Sequence, residues 1–138
     1  MRQRKLLVFF TVFSLILVFA FFLFNAFRSN VINLSKVKVE ESFSTNEILV
    51  KHEERDETMK MFIEKAIEIE GEIKEITLRD GKYTVILKGD SKRAYILCEM
   101  QKNQSDKVLE LTVGQKVRIK GVLKGFLIDV ILLNCVIL

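Results

Sequence analysis

The sequence predicts a mainly β domain, a five-stranded Greek-key barrel preceded by a peripheral helix and an N-terminal transmembrane helix. Three observations lead to this prediction. Residues 6–27 contain no charge and only three polar side chains, Thr11, Ser14 and Asn25. From residue 65 onward, apolar side chains recur at every second position, as they do in half-buried strands. Five such strand patterns follow one another, with a short helical pattern between the third and the fourth.

Residues 6–27 are long enough for a membrane helix, because the hydrocarbon core of a bilayer needs ~20 apolar residues. A cleaved signal peptide would end in a small-x-small site, but large Val18 and Phe24 stand two residues before the nearby alanines. A lipoprotein would need a cysteine just after the apolar segment, and the first cysteine is Cys98. A buried core helix is disfavoured because no face of the segment is polar. An uncleaved signal anchor in the lipid bilayer therefore fits best.

Basic residues set the predicted orientation of this anchor. Arg2, Arg4 and Lys5 precede the apolar segment, and only Arg28 closely follows it. The positive-inside rule then places the N-terminus in the cytoplasm. We expect a single-pass protein of the inner, cytoplasmic membrane whose C-terminal domain is periplasmic or extracellular. The predicted organisation is a cytoplasmic basic flank and transmembrane signal anchor at residues 1–27, a juxtamembrane linker at 28–43 and a folded domain at 44–138.

The formal charge of +4 does not indicate a domain that binds polyanions. Without the three cations before the apolar segment, 19 of the 22 basic residues remain against 18 acidic ones. A nearly neutral domain has no general electrostatic attraction for nucleic acid. The 138 residues leave room for one small domain after the anchor.

A helix is predicted just before the barrel. Ser44 stands three residues before Glu47, which is the form of a capping box. The chain from there to about Lys60 is rich in helix formers and lacks glycine and proline. Its apolar residues are confined to the two ends, and residues 53–57 between them are charged. We therefore expect a peripheral helix with a thin apolar face.

The strand patterns follow the order of a known architecture. Asp80-Gly81 is a hairpin turn between the first two strands, because this pair is suited to positive φ. Strand, strand, strand, short helix, strand, strand is the order of the OB fold, a five-stranded Greek-key barrel. The strands are expected from residue 65 to the turn, then at residues 83–88, 93–100, 116–124 and 129–137, with the helix near 106–111.

Two details indicate that the sheet closes into a barrel. Gly71 and Gly121 stand in the middle of strands one and four, where a tightly coiled barrel needs a residue without Cβ to bend. Strands one and four are antiparallel neighbours in this fold, so opposite charges on their outward faces stabilise the pair by about 0.2–1 kcal/mol each. The outward residues are Glu68, Glu70 and Glu72 on strand one and Lys116, Arg118, Lys120 and Lys124 on strand four.

Four segments together resemble the tRNA_anti-like family of OB-fold proteins. They are IEGEIKEI at 69–76, YTVIL at 83–87, LTVGQKVRIKG at 111–121 and GFLIDVILLNC at 125–135. The resemblance covers residues 44–138, because such proteins often carry a helix before the first strand. It implies a small bacterial protein of a family with many exported or membrane-attached members. It implies the fold, but no demonstrated tRNA binding and no catalytic residues.

The sequence gives little support to catalysis, to a metal site or to a cofactor. His52 stands alone on a polar helix, and Cys98 and Cys135 do not form a CxxC-type spacing. The pair Glu53-Glu54 lies in a charged stretch that is typical of a solvated helix face. No glycine-rich phosphate loop is present in the sequence. An enzyme is therefore the least favoured class of function.

The main hypothesis is a non-catalytic binding or scaffolding module for a membrane protein or another envelope component. The alternative is single-stranded nucleic acid or an oligosaccharide bound on the face of strands two and three. Stacking of bases needs exposed aromatic rings and a basic groove. The candidate rings are Tyr83, Tyr95 and Phe126, and Lys82, Lys88, Lys92 and Arg93 lie around them in the sequence. Tyr83 fits the core equally well, because it shares the parity of Val85 and Leu87.

The two cysteines are candidates for a disulfide. Cys98 shares a strand face with Ala94 and Ile96, and this face is expected to be interior. Cys135 shares one with Ile131, Leu133 and Ile137, which is also expected to be interior. The OB topology places strands three and five side by side, and a disulfide would persist outside the cytoplasm. Closing a loop of ~37 residues would stabilise the fold by roughly 3–4 kcal/mol. The alternative is two unpaired core thiols.

Overall fold

The computed structural model describes residues 2–26 and 33–138. The chain separates into two compact units, Met1–Val31 and Ile32–Leu138. In the first unit, Arg2–Ala26 forms helix α1. Among the described residues, no helix is both long and apolar enough to cross a membrane. The end of the predicted anchor, Phe27, and the first part of the predicted linker, residues 28–32, lie outside the described residues.

The second unit contains a closed five-stranded barrel. Its elements in chain order are β1 (Glu41–Ser44), α2 (Thr45–Glu53), β2 (Ala66–Arg79), β3 (Lys82–Lys88), β4 (Ile96–Met100), α3 (Ser105–Leu109), β5 (Lys116–Phe126) and β6 (Val130–Ile137). The strands run in the order β2–β3–β4–β6–β5, and β5 pairs again with β2, which closes the barrel. Within this ring β4 and β6 are parallel neighbours, and the other pairs are antiparallel. The predicted OB-type barrel is confirmed.

The apolar residues that alternate with polar ones in the sequence of β2 lie in the barrel interior. Ile67, Ile69 and Ile73 of β2 are each 0% exposed, as β2 contributes one side chain in two to the core. The hairpin from β2 to β3 turns at Asp80 (φ 51°) and Gly81 (φ 73°). Two successive positive φ angles match the right-handed twist of the strands, so the predicted turn is confirmed.

Helix α2 begins where the sequence predicted and ends earlier. The Ser44 hydroxyl accepts a hydrogen bond from the Glu47 backbone N–H at 3.2 Å. The helix ends at Glu53, and Arg55 then adopts a φ of 53° before a 3-10 turn at Glu57–Phe62. The prediction of one helix to about Lys60 is therefore wrong, because the charged middle of that stretch offers no apolar side chain to the barrel.

The described part of the predicted linker is folded onto the barrel. We call residues 33–44 the strap. Leu34 is 1% exposed and packs on the outside of the barrel against Ala66, Val122 and Val136. The strap then forms β1, which lies parallel to β2.

The strap also changes the surroundings of Lys120. The sequence placed this side chain on the solvated outer face, but it is only 4% exposed, and its Nζ donates to the Ser35 carbonyl oxygen at 3.4 Å. The prediction of an outward, solvated Lys120 is wrong because residues 33–36 cover that part of β5.

The register of β2 and β5 confirms the predicted pairing of opposite charges between these neighbouring strands. Opposite charges face each other at Glu68–Lys120, Glu70–Arg118 and Glu72–Lys116 along β2 and β5. The closest ion pair in this stripe is diagonal, with Arg118 Nη1 lying 3.6 Å from Glu68 Oε1.

The two mid-strand glycines allow close approach of other elements. A Cβ on Gly71 would lie 2.1 Å from Thr45 Cγ2, at the start of α2. A Cβ on Gly121 would lie 2.5 Å from Cys135 Sγ. Any side chain at either position would therefore collide with the neighbouring element.

Cys98 and Cys135 are both 0% exposed and both free. Cys135 is in the interior, but it does not share a strand face with Ile131 and Leu133 as the sequence indicated. Asn134 adopts a φ of 57° and breaks the alternation, so Cys135 is buried with Leu132, whereas Leu133 is half-buried. Burial is the main reason that the pKa of Cys135 is raised well above its usual range, and a hydrogen bond with the Cys98 thiol raises it further. The two thiols therefore interact with each other in the core.

Candidate binding site

Strand register brings most of the predicted site residues to one end of the sheet. Leu87 pairs with Ile96, Ile96 with Val130, and Val130 with Phe126. Lys88 follows the first residue of this row, and Arg93 and Tyr95 precede the second, so these three lie at the same end as Phe126. Tyr83 stands at the opposite end of β3 and packs against the core.

Tyr95 lies at the start of β4 and is held there by its backbone. Its N–H donates to Asp129 Oδ1 at 2.9 Å, and its carbonyl oxygen accepts from the Val130 N–H at 3.0 Å. Lys74 Nζ lies 4.2 Å from the centroid of the ring. The ring is therefore half-buried and already in contact with a cation.

Phe126 packs against the core and stacks on the ring of His52, with the ring centroids 5.4 Å apart and the planes at 26°. Among the three aromatic residues that the sequence singled out, Tyr83 and Phe126 are thus engaged within the fold. Tyr95 does not pack with the core cluster, so the three rings do not form one stacking platform.

The cations around this face are partly neutralised. Lys88 Nζ lies 2.8 Å from Glu72 Oε1, and Lys82 Nζ lies 2.7 Å from Glu99 Oε1. Arg93 is exposed, and its guanidinium has no ion pair with any described residue. Two of the predicted basic side chains are therefore already paired with glutamates of the domain.

Three apolar side chains form a row across the outside of β3, β4 and β6, which we call the outer row. Ile86 pairs with Leu97, and Leu97 pairs with Ile131. Each is half-buried, whereas their chain neighbours Leu87 and Leu132 are in the core. The outer row is an accessible apolar surface in the middle of this sheet.

The loop between β5 and β6 presents two large apolar side chains to solvent. Leu127 is 78% exposed and Ile128 is 79% exposed. The loop is held in place, because the Leu127 N–H donates to the Asp129 carbonyl oxygen at 2.9 Å and His52 Nε2 donates to the Ile128 carbonyl oxygen at 3.1 Å. From the sequence, Phe126 is a predicted stacking residue, but no role is predicted for Leu127 or Ile128. The signal that could have revealed it is a run of three large apolar residues in a turn, where polar residues are usual.

A groove of about 470 Å³ lies beside this loop, next to the end of α2. Its lining includes Lys51, His52, Arg55, Met59, Phe126 and Leu127. In the part of the chain that the structure describes, no three His, Cys, Asp or Glu side chains meet as ligands for a metal ion. The chemistry that this end of the domain offers is thus apolar contact with a few charged side chains at the rim.

A match to one solved structure agrees with the fold. A lipoprotein from Klebsiella pneumoniae subsp. pneumoniae MGH 78578, which has been assigned as nucleic acid-binding, matches with a TM-score of 0.61 and 15% identity. The match covers 70% of this chain and 90% of that one. The Stn1–Ten1 complex of S. pombe matches with a TM-score of 0.44 and 20% identity, over 53% of this chain and 57% of that one.

No curated protein matches the chain. The family model described as tRNA_anti-like matches residues 1–137, and so extends further toward the N-terminus than the resemblance read from residues 44–138. Since this match spans nearly the whole sequence and the barrel has the topology expected of an OB fold, the chain belongs to the tRNA_anti-like family.

Proposed function

We propose that the domain is a non-catalytic module that binds a protein partner on the outside of β3, β4 and β6. The observation that carries this proposal is the outer row of Ile86, Leu97 and Ile131, which stays accessible while nearby Lys82 and Lys88 are paired with glutamates. Protein interfaces typically have an apolar centre inside a polar rim. The exposed apolar loop at one end of the row enlarges this surface.

We also propose that residues 6–27 hold the module in a membrane with the domain outside the cytoplasm. The support comes from the sequence, which has an uncharged apolar stretch after Arg2, Arg4 and Lys5. Such a tether would raise the effective concentration of the module for other membrane components. The chain should remain in the membrane pellet after washing at alkaline pH and enter solution only with detergent. Release by the alkaline wash alone would contradict the anchor.

A second candidate function is binding of single-stranded nucleic acid or an oligosaccharide. The observation in its favour is that half-buried Tyr95 stands two residues after exposed Arg93, whose guanidinium has no ion pair among the described residues. Against it stand the paired lysines and the two aromatic rings that pack with the core. Protein binding is therefore the better supported of the two.

Site-specific photo-crosslinking in intact cells separates these functions. A benzophenone amino acid at Leu97 should crosslink to a protein, and the same group at Leu109, exposed on α3, is the matched control. The crosslink should weaken in an Ile131→Ser variant, because this substitution removes apolar surface from the same row. The crosslink of the Leu97 position should persist in 0.5 M salt, because salt does not screen apolar contacts.

A different pattern would contradict protein binding. Oligonucleotides that bind the purified chain, depend on Tyr95 and weaken steeply with salt would establish the second candidate instead. Equal crosslinking from Leu97 and Leu109 would show that the outer row has no special role.

A further inference from the structure

The groove beside the β5–β6 loop has an apolar floor. Met59 is 2% exposed and lies under it, and half-buried Phe126 forms one side. Leu127 lines the edge of the groove, and Ile128 continues the apolar surface past it. An extended ligand could therefore bury apolar side chains both in the groove and along the loop.

The walls of the groove are fixed by contacts within the domain. His52 stacks on Phe126 and donates to the Ile128 carbonyl oxygen, so the end of α2 and the loop are joined. On the other side, Asp56 accepts from the Thr58 N–H at 2.9 Å and from its hydroxyl at 2.7 Å. These hydrogen bonds lower the pKa of Asp56. A preformed site loses little freedom when a ligand binds.

The acidic groups of the groove are already engaged. Asp56 is held by Thr58 and also lies 3.4 Å from Lys51 Nζ. Glu57 pairs with Lys60, and Glu53 accepts from the Ser91 hydroxyl. Among the described residues, the remaining cation of the lining, Arg55, has no acceptor for its guanidinium.

Arg55 holds its position at a conformational cost. Its φ of 53° lies in the left-handed region, which is unfavourable for a residue other than glycine. Its backbone N–H donates to the His52 carbonyl oxygen at 3.1 Å, which ties this conformation to the end of α2. This conformation is common for the residue that follows a helix C-cap, and it leaves the exposed Arg55 side chain at the groove.

We infer that this groove binds an extended segment of a protein partner in which a carboxylate stands next to a large apolar side chain. The apolar side chain packs on Met59 and Phe126, and the carboxylate accepts hydrogen bonds from the planar fork of Arg55. A peptide fits better than a small acid because Leu127 and Ile128 extend the apolar surface beyond the groove. The inference rests on the proposed protein-binding function and assigns the chemistry of one segment of the partner.

The test uses the full-length chain in detergent micelles with ¹³C-methyl methionine and two synthetic peptides. One is acetyl-Gly-Leu-Glu-Leu-Gly-amide, and the other has Gln in place of Glu. The acidic peptide should shift the Met59 methyl signal and leave that of Met100, which is in the barrel core, unchanged. The Gln peptide should bind about five-fold more weakly, the scale of one favourable exposed ion pair.

Matched arginine variants test the assigned contact. Arg55→Gln should remove the preference for the acidic peptide, whereas Arg79→Gln, which changes an exposed arginine beside the β2–β3 turn, should keep it. Equal binding of the two peptides to the wild type, or the same effect of both variants, would overturn the inference. So would a shift of the Met59 signal by dodecanoate when neither peptide shifts it.

The crosslinking experiment separates this inference from the proposed function. If Leu97 still crosslinks to a protein while neither peptide binds, the groove assignment fails and the binding module stands. If both experiments fail, protein binding itself is wrong.

Discussion

At the scale of single residues, Gly121 of β5 fits tightly against Cys135 of β6. A Cβ on Gly121 would also lie 3.0 Å from Leu132 Cδ2 and 3.1 Å from Leu132 Cβ. Gly121→Ala should therefore destabilise the domain by about 1–3 kcal/mol, the usual cost of overpacking a core. Thermal unfolding of the purified chain in detergent measures the change.

The double variant Gly121→Ala, Cys135→Ala is the control for this prediction. It removes the sulfur that the new methyl group meets first, so part of the lost stability should return. If the second substitution only adds its own cost, the collision with the sulfur does not explain the effect.

Cys135 should give the reduced protein a specific sensitivity to alkaline pH. Its raised pKa means that the folded state keeps the thiol proton while the unfolded chain loses it above about pH 8.5. The stability from the buried neutral thiol is complete below that pH and is lost as pH rises toward the folded pKa, by at most about 1.4 kcal/mol per pH unit. Melting temperatures from pH 7 to pH 10 should fall more steeply for the wild type than for Cys135→Ala. Parallel curves would contradict this linkage.

For single residues, the sequence indicated which positions matter for packing more reliably than it indicated the strand face on which each side chain lies. It selected Gly121 and both cysteines, but it counted the face of Cys135 by simple alternation. Asn134, with its φ of 57°, shifts that count by one residue. The signal in the sequence is the asparagine itself, a residue type that tolerates positive φ and is uncommon in strands. Lys120 was misplaced because its cover, residues 33–36, comes from a segment distant in sequence.

At the scale of the elements, the strap contributes to the stability of the domain. Leu34 is 1% exposed against Ala66, Val122 and Val136, on the side of the sheet away from the main core. Leu34→Ala should cost about 2 kcal/mol, the low end for a buried leucine, because this cluster is small. The thermal midpoint of the purified chain reports the loss.

Val37 provides the comparison, since it lies in the same strap but is 38% exposed. Val37→Ala should change the midpoint much less than Leu34→Ala. Equal effects would mean that the strap is not held by the contact of Leu34 with the barrel.

The regular elements were predictable where one physical rule dominates. Alternation fixed the interior of β2, and the capping pair of Ser44 and Glu47 fixed the start of α2. The end of α2 and strand β1 were missed because both depend on tertiary contacts. Residues 41–44 have no alternating run long enough to indicate a strand, and pairing with β2 gives them that structure.

At the scale of the whole molecule, the state of the cysteines reports where the domain lies. The two thiols are neighbours in the core, so an exported domain should contain a Cys98–Cys135 disulfide. Because both are 0% exposed, that bond would have to form before the barrel closes. Thiol labelling of the denatured protein from intact cells, with and without prior reduction, measures it. Labelling only after reduction is the expected result.

A second labelling arm keeps the prediction of sidedness separate from that of the bond. A membrane-impermeant reagent should label an introduced Lys92→Cys side chain in intact cells if the domain lies outside. Protection of this cysteine, with labelling after lysis, would place the domain inside and contradict the proposed orientation.

The candidate site could be predicted only in part from the sequence, because it combines segments that are distant in the chain. The strand register brings Lys88, Arg93, Tyr95 and Phe126 to one end of the sheet, and their role in binding stays a prediction. The groove could not be predicted, since it forms between the end of α2 and the β5–β6 loop, two segments that no local pattern connects. Residue type alone also could not show that Phe126 stacks on His52.

The pairing of β1 with β2 affects how the molecule meets copies of itself. Residues 67–70 of β2 pair with β5 on one side and with β1 on the other. If the chain entered the barrel directly at Ala66, that second side would present unpaired backbone groups, which form a template for sheet growth between molecules. If the proposed anchor holds the chain in the plane of a membrane, where proteins collide often, a strand of four residues that fills this gap would protect the chain against lateral aggregation.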